Sequence, residues 1–279
     1  MKFWWNETDE TELGNLLTEL ILQLKDDHVN RHTMNLDMLR MYTQRDYEGG
    51  ANLNLRDYRI SLNVIGNITD TLVSRIGKSK PKPMYLTRRG DYRLRQNAKR
   101  LTDVMEGIFY QTNIYDVMPK IFQDSCIFDL ACMKIGREGS ELFVERVFPN
   151  EILWDMNASM YADHPPSLHQ IKSIPLETLI LQFPEREEEL RYSAATDDDG
   201  MMSSEEGHEA EMVECVESWH LPSMYDSDDG RHVIHMDNVI LEDEQYTYSS
   251  FPFIFCKWGD ALVGFAGISL AEQLKNIQM

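Results

Sequence analysis

The clearest periodicity lies near the N terminus, where Leu13, Leu16, Leu17, Leu20, Ile21 and Leu24 recur at i, i+3, i+4, i+7, i+8 and i+11. That spacing puts all six on one helical face. Asp9 or Thr11 is placed to cap the start, with acidic residues in a first turn where the macrodipole favours them. A second helix is predicted from about Asn30 to Arg45, stopped by Gly49-Gly50. A third is predicted from Asp57 to Ile76, because Ile60, Val64, Ile68, Leu72 and Ile76 fall every four residues, with Gly77 as its stop. Lys78 to Pro83 reads as a loop, since its two prolines hold the chain extended, and Met84 to Thr87 as a short strand. Helices are then predicted from Asp91 to Tyr110 and from Tyr115 to Phe128. Pro119 is placed in the first turn of the latter, where a missing N–H does no harm.

From Leu130 the pattern shortens. Ala131 to Arg137, a turn at Gly139 and Leu142 to Phe148 read as a β-hairpin. Further strands are predicted at His169–Ile174, Val213–His220, His232–His235, Val239–Glu242 and Phe251–Lys257, with a helix from Pro175 to Leu181. Phe251, Phe253 and Phe255 alternate and so share one strand face. With Trp154, Trp219 and Trp258 they read as core rather than as a base-stacking platform, because Lys257 is the sole base nearby. Another helix is predicted from Gly264 to Met279, and no internal repeat is visible. The class is α+β. A helical segment spans residues 1–50 and a mixed helix-and-sheet domain spans 51–263, with a mobile acidic loop at about 194–210. The helix of 264–279 has no glycine, asparagine or proline stop, so the chain is expected to be an N-terminal piece of a longer protein.

Composition narrows the possibilities. In 279 residues, 42% are hydrophobic and 10% aromatic, which excludes a disordered chain. Met1 to Glu10 has no apolar run of the secretory kind. The best apolar stretch, Leu16–Leu24, is broken by Thr18, Glu19 and Gln23, so no membrane span and cytoplasmic folding are expected. Cys126, Cys132, Cys215 and Cys256 form no C-x-x-C pair and read as reduced, half-buried thiols. The N-x-[ST] matches at Asn6, Asn67 and Asn157 mean little without a secretory route.

A net charge of −20 argues against a sequence-reading DNA binder, which carries a basic face. It does not exclude a protein that DNA passes without being held, since each neutralised phosphate would add affinity and slow passage; many soluble proteins are acidic for solubility alone. The charge is also uneven. Ten bases between Arg75 and Arg100 face one acid, Asp91, whereas acids dominate from Glu177 to Glu244. Such a pair of segments suits head-to-tail contacts in a ring; the alternative is a solvated helix and a solvated loop.

The candidate chemistry is thin. Asp197-x-Asp199-Gly200 with Glu206 resembles half an EF-hand loop, but Ala195 stands at the first ligand position. The runs at Asp197–Asp199 and Asp226–Asp229 lie in single loops, unlike carboxylates converging on two metals. His28 and His32 have zinc-gripping spacing without the glutamate of H-E-x-x-H and read as solvated surface histidines. His232 and His235, three apart on a strand, face opposite sides. No nucleotide-binding or hydrolase motif is present, and no catalytic, cofactor or metal residue is assigned.

Phe251-Pro252-Phe253 to Trp258, followed by Gly264, Gly267 and a helix with Glu272, Gln273, Leu274, Ile277 and Gln278, resembles the portal proteins of tailed double-stranded-DNA bacteriophages. Asn63–Gly77 with Lys80, Pro81 and Pro83 is similar to that family's helix and loop. Asp91–Tyr110 is similar to its long helix, and Val147 to Asp155, including Pro149, to its V-x-P-x-E-I/V-x-x-D passage. The resemblance covers roughly Asn54 to Met279. Gly259 to Val263 and the acidic insertion depart from the pattern. It implies a structural ring subunit without an active site or cofactor, usually one of twelve at a capsid vertex of the virion. The part present would be the wing, ending in a helix that leads towards the stem. The implied partners are other copies of the chain, DNA passing through the channel, the terminase large subunit, a head-tail adaptor and capsid or scaffold proteins. The alternatives are another virion head-tail adaptor or minor capsid protein, and a metal-dependent nuclease working through the acidic clusters.

Overall fold

The computed structural model describes residues 3–44, 63–88, 90–139, 141–197, 211–223 and 228–278. After a 3-10 turn at Trp4–Asn6, the helices are α1 (Glu10–Thr43), α2 (Val64–Lys78), α3 (Tyr92–Gln111), α4 (Ile114–Ile127), α5 (Leu176–Gln182), α6 (Glu187–Asp197) and α7 (Leu270–Gln278). The strands are β1 (Ala131–Glu138), β2 (Glu141–Val147), β3 (Ile152–Leu153), β4 (Ser167–Pro175), β5 (Met212–His220), β6 (Arg231–Met236), β7 (Val239–Gln245), β8 (Phe253–Cys256), β9 (Gly259–Asp260) and β10 (Gly267–Ile268). A helical first part thus precedes a mixed helix-and-sheet part, an α+β protein.

Several expectations are corrected. The two N-terminal helices are one, α1, because its buried stripe continues past Leu24 through His28, Arg31, Asn35 and Met38. Polar residues on that stripe hid it from a hydrophobic count. Helix α2 starts after the Asn63 cap, whose side chain accepts from the Gly66 N–H at 2.7 Å, and it runs through Gly77 to Lys78. Gly49-Gly50 and Asp57 lie outside the described residues. Met84–Thr87 joins no sheet. Pro119 is the sixth residue of α4, not in its first turn, so that helix forgoes an interior i→i−4 bond. Ala194–Asp197 is helical, the end of α6; residues 198–210 lie outside the described residues. The terminal helix begins at Leu270, after β10, rather than at Gly264.

The chain forms two compact units. The first comprises residues 1–32, 150–251 and 263–265, and the second residues 33–149, 252–262 and 266–279. In the first unit, β3-β4-β5-β6-β7 form an antiparallel sheet in chain order. Alternation along β5 sends Val216 to one face and Val213 and Cys215 to the other. Leu13 and Leu17 of α1 cover Val233 and Ile240 on the first face, and Ile21 and Leu24 cover Leu153 and Val216. Leu176, Leu179, Ile180, Leu190 and Ala194 of α5 and α6 cover Val213, Cys215 and Met236 on the other. The unit is therefore helix, sheet, helix. Gly14 permits the first contact, since a Cβ there would lie 2.2 Å from the Asn238 carbonyl oxygen.

In the second unit, β2-β1-β8 form a three-stranded antiparallel sheet, with Gly139 at φ +58° turning the β1–β2 hairpin. Ile114 and Ile121 of α4 pack on Ala131 and Met133. A further core joins Met38, Ile65, Ile127, Phe128 and Ala271, and so ties α2, α4 and α7 to the end of α1. Asn35 donates to Asp129 Oδ1 at 3.0 Å, while the Asp129 carbonyl accepts from the Gly267 N–H at 2.9 Å.

Candidate functional site

The residues singled out by the resemblance are spread through the fold, and several make a local architectural contact. Lys80 and Pro81 lie in the extended segment after α2. The Tyr115 hydroxyl donates to the Pro81 carbonyl at 3.2 Å, and the Lys80 ammonium stands 5.6 Å from the Tyr115 ring centroid. Pro83 is half-buried further along the same segment. Pro149 is buried in a 3-10 turn. Asp155 Oδ1 accepts from the backbone N–H groups of Asn157 and Ala158 at 2.8 and 3.1 Å, which closes a turn through its side chain. The Pro252 carbonyl accepts from the Ile135 N–H at 2.8 Å and extends the β1–β8 pairing.

Gly264 has φ +90°, a conformation glycine adopts at little cost, and its N–H donates to the Met160 carbonyl at 3.0 Å. Gly267 is needed for a different reason: a Cβ there would lie 2.6 Å from the Gly259 carbonyl oxygen. In α7, Ser269 Oγ accepts from the Glu272 N–H at 3.0 Å. Gln273 is exposed and Gln278 is the last helical residue. Asp155, Pro252, Gly264, Gly267 and the first turn of α7 thus brace turns, strand ends and a helix start within their own units.

A cluster that sequence reading missed lies in the first unit. His28, expected at the surface, is fully buried: its Nδ1 donates to the Leu24 carbonyl at 2.9 Å and its ring meets Trp154 edge-on at 4.7 Å. His169 Nδ1 is 2.8 Å from Ser218 Oγ, and His220 Nδ1 is 2.7 Å from Ser167 Oγ. These are cross-strand pairs, fixed by the register that sets Ser167 opposite His220 and His169 opposite Ser218. His235 Nδ1 donates to the Asp237 carbonyl at 3.0 Å, whereas His232 stacks on Trp219 at 5.1 Å. Trp5 stacks on His220 at 3.8 Å, and Trp4 lies 5.9 Å from His169.

Burial, reinforced by the neighbouring His235, His220 and His28, pushes His169 down to about 3, and burial pushes His235 down to about 4. These rings therefore stay neutral at ordinary pH. Alternation of histidine and serine on adjacent strands was the available signal, but it requires knowing which strands pair.

The second unit handles buried polarity through charge. Arg146 grips the buried Asp124 carboxylate with two hydrogen bonds. Burial still outweighs the guanidinium, so the carboxyl stays above its ordinary range. The Cys126 thiol is pushed up to about 11, chiefly by burial, which makes it a poor nucleophile. The four cysteines form no disulfide; Cys126, Cys132 and Cys215 are buried and Cys256 is half-buried. Among the described residues, no group of three or more His, Cys, Asp or Glu is placed to hold a metal ion. No helix among them is long and apolar enough to cross a membrane.

The buried neutral histidines, the buried Asp124 carboxylate with its arginine partner and the turn braces are each local supports of the fold. No curated protein matches the chain. The model of the family described as Phage P22-like portal protein matches residues 24–264, a span that covers most of both compact units. The chain belongs to the Phage P22-like portal protein family, structural proteins of the bacteriophage capsid.

Proposed function

We propose that the protein is the repeating subunit of a portal ring at one vertex of the capsid, through which double-stranded DNA is packaged and later ejected. In this reading the protein performs no bond-making of its own. The ring docks the terminase large subunit during packaging, and head-tail adaptor proteins afterwards, within a shell of capsid and scaffold proteins. The family match over residues 24–264 carries the reading. The net charge of −20 supports it, since an acidic wall repels phosphates and holds DNA weakly. Closed rings are built from heterologous contacts between different faces of identical subunits. Electron microscopy of the intact protein should show rings with a central hole wide enough for a duplex. A stable monomer at micromolar concentration overturns the proposal.

A further inference from the structure

Among the described residues, helix α3 is held to its own unit along one flank. Ala98 is its one buried residue. Thr102 Oγ1 accepts from the Tyr85 N–H at 3.2 Å, Glu106 pairs with Lys82, and Phe109 meets Tyr115 edge-on. Beside that flank runs a stripe that no described residue of the unit covers: Leu94, Leu101 and Val104, 52%, 52% and 58% exposed. At i, i+7 and i+10 they lie in one line along the helix. Arg93 and Arg100, also seven apart and exposed, border its outer edge, and neither is in an ion pair with a described residue. The helix thus presents an apolar ridge edged by cations.

The complement is on the same polypeptide. The second unit holds 20 Lys and Arg against 16 Asp and Glu, a net +4, whereas the first holds 7 against 31, a net −24. On the first unit, α6 opens with Glu187-Glu188-Glu189. Together with the β6–β7 turn it forms an open hollow of about 370 Å³ lined by Glu188, Glu189, Tyr192, Ser193, Asn238 and Val239. The hollow joins carboxylates to apolar surface, the inverse of the ridge in both charge and curvature.

We propose that the α3 ridge is the face by which one subunit binds the next, seated on the α6–β7 hollow of the neighbouring copy. The inference rests on the ring reading above and names the contact that would build it. Ridge and hollow are different patches of one chain, so their union is heterologous and propagates round a ring. DNA is the weaker occupant for this face. Phosphates would satisfy Arg93 and Arg100 but would leave Leu94, Leu101 and Val104 against a charged backbone, whereas Tyr192 and Val239 offer them apolar contact.

The intact protein and its variants would be compared by sedimentation velocity and negative-stain microscopy, with thermal unfolding as the check on folding. The double variant R93E/R100E, and separately L101D, should melt like the parent yet associate at least about tenfold more weakly. Adding E188R to R93E/R100E should restore rings. Rings undiminished in R93E/R100E and L101D would overturn the docking while leaving the ring reading intact, as would failure of E188R to restore them. Rings kept in R93E/R100E together with loss of salt-sensitive DNA retention would assign the ridge to DNA and overturn the proposal. A wild-type protein that never forms rings overturns both readings.

Discussion

The two units bury polar groups in opposite ways. All eight histidines of the chain lie in the first unit, which carries a net −24, and none lies in the second, which carries +4. The first unit takes imidazoles into its core as neutral rings tied to serine hydroxyls and backbone carbonyls. The second takes in a carboxylate and matches it with a guanidinium. A neutral buried ring costs little until protons become abundant, while a buried carboxylate is costly as long as it stays ionised, unless its partner is present. One fold therefore contains an acid-sensitive part and a part sensitive to loss of a partner.

Acid is the strongest way to separate the units. A histidine held below its unfolded value of about 6.5 lends stability that is lost as pH falls beneath that value, down to its folded pKa. For His169 and His235 the loss runs from about 6.5 towards about 3 and about 4. Each contributes about 1.4 kcal/mol per pH unit, so together they remove on the order of 5 kcal/mol by about pH 4.5. Hydrogen exchange read peptide by peptide should show β4–β6 opening before β1, β2 and β8 as pH drops. Simultaneous opening would break the comparison, and His169→Gln should flatten the slope.

Next in size is Trp4→Ala, expected to cost about 3–5 kcal/mol. Trp4 is buried against Leu13, Leu17, Val233 and Ile240, and denaturant unfolding would measure the loss. Arg146→Ala should cost about 2 kcal/mol near neutral pH, after allowance for the half-exposed guanidinium. With its partner gone, the Asp124 carboxyl should move further up. The penalty should therefore shrink as pH falls and Asp124 takes a proton, a trend opposite to that of the first unit. The smallest expected effect is Asn63→Ala, about 1 kcal/mol for loss of the α2 cap. Thermal melts resolve it, and a null result would mean that Asn63 donation to the Tyr42 carbonyl and the Gly66 bond are dispensable.

Local pattern alone determined much of this protein. The leucine stripe of Leu13–Leu24 specifies a helix because six apolar side chains share one face, and Gly139 marks the hairpin because only such a residue turns left-handed cheaply. Phe253 and Phe255, alternating on a strand, do stack, with centroids 6.0 Å apart. The ordered portal-like segments were legible for the same reason: each is a contiguous run. Long-range pairing decided the rest. The second half of α1 reads as polar until Trp154, the Ile152 carbonyl and Asp129 are brought beside His28, Arg31 and Asn35. A polar side chain enters a core only where a partner satisfies it, and that partner lies about a hundred residues away in the chain. The histidine cluster likewise exists only through the β4–β5 register. Hydrophobic period fixes which face a residue takes, but only tertiary contact fixes what that face meets.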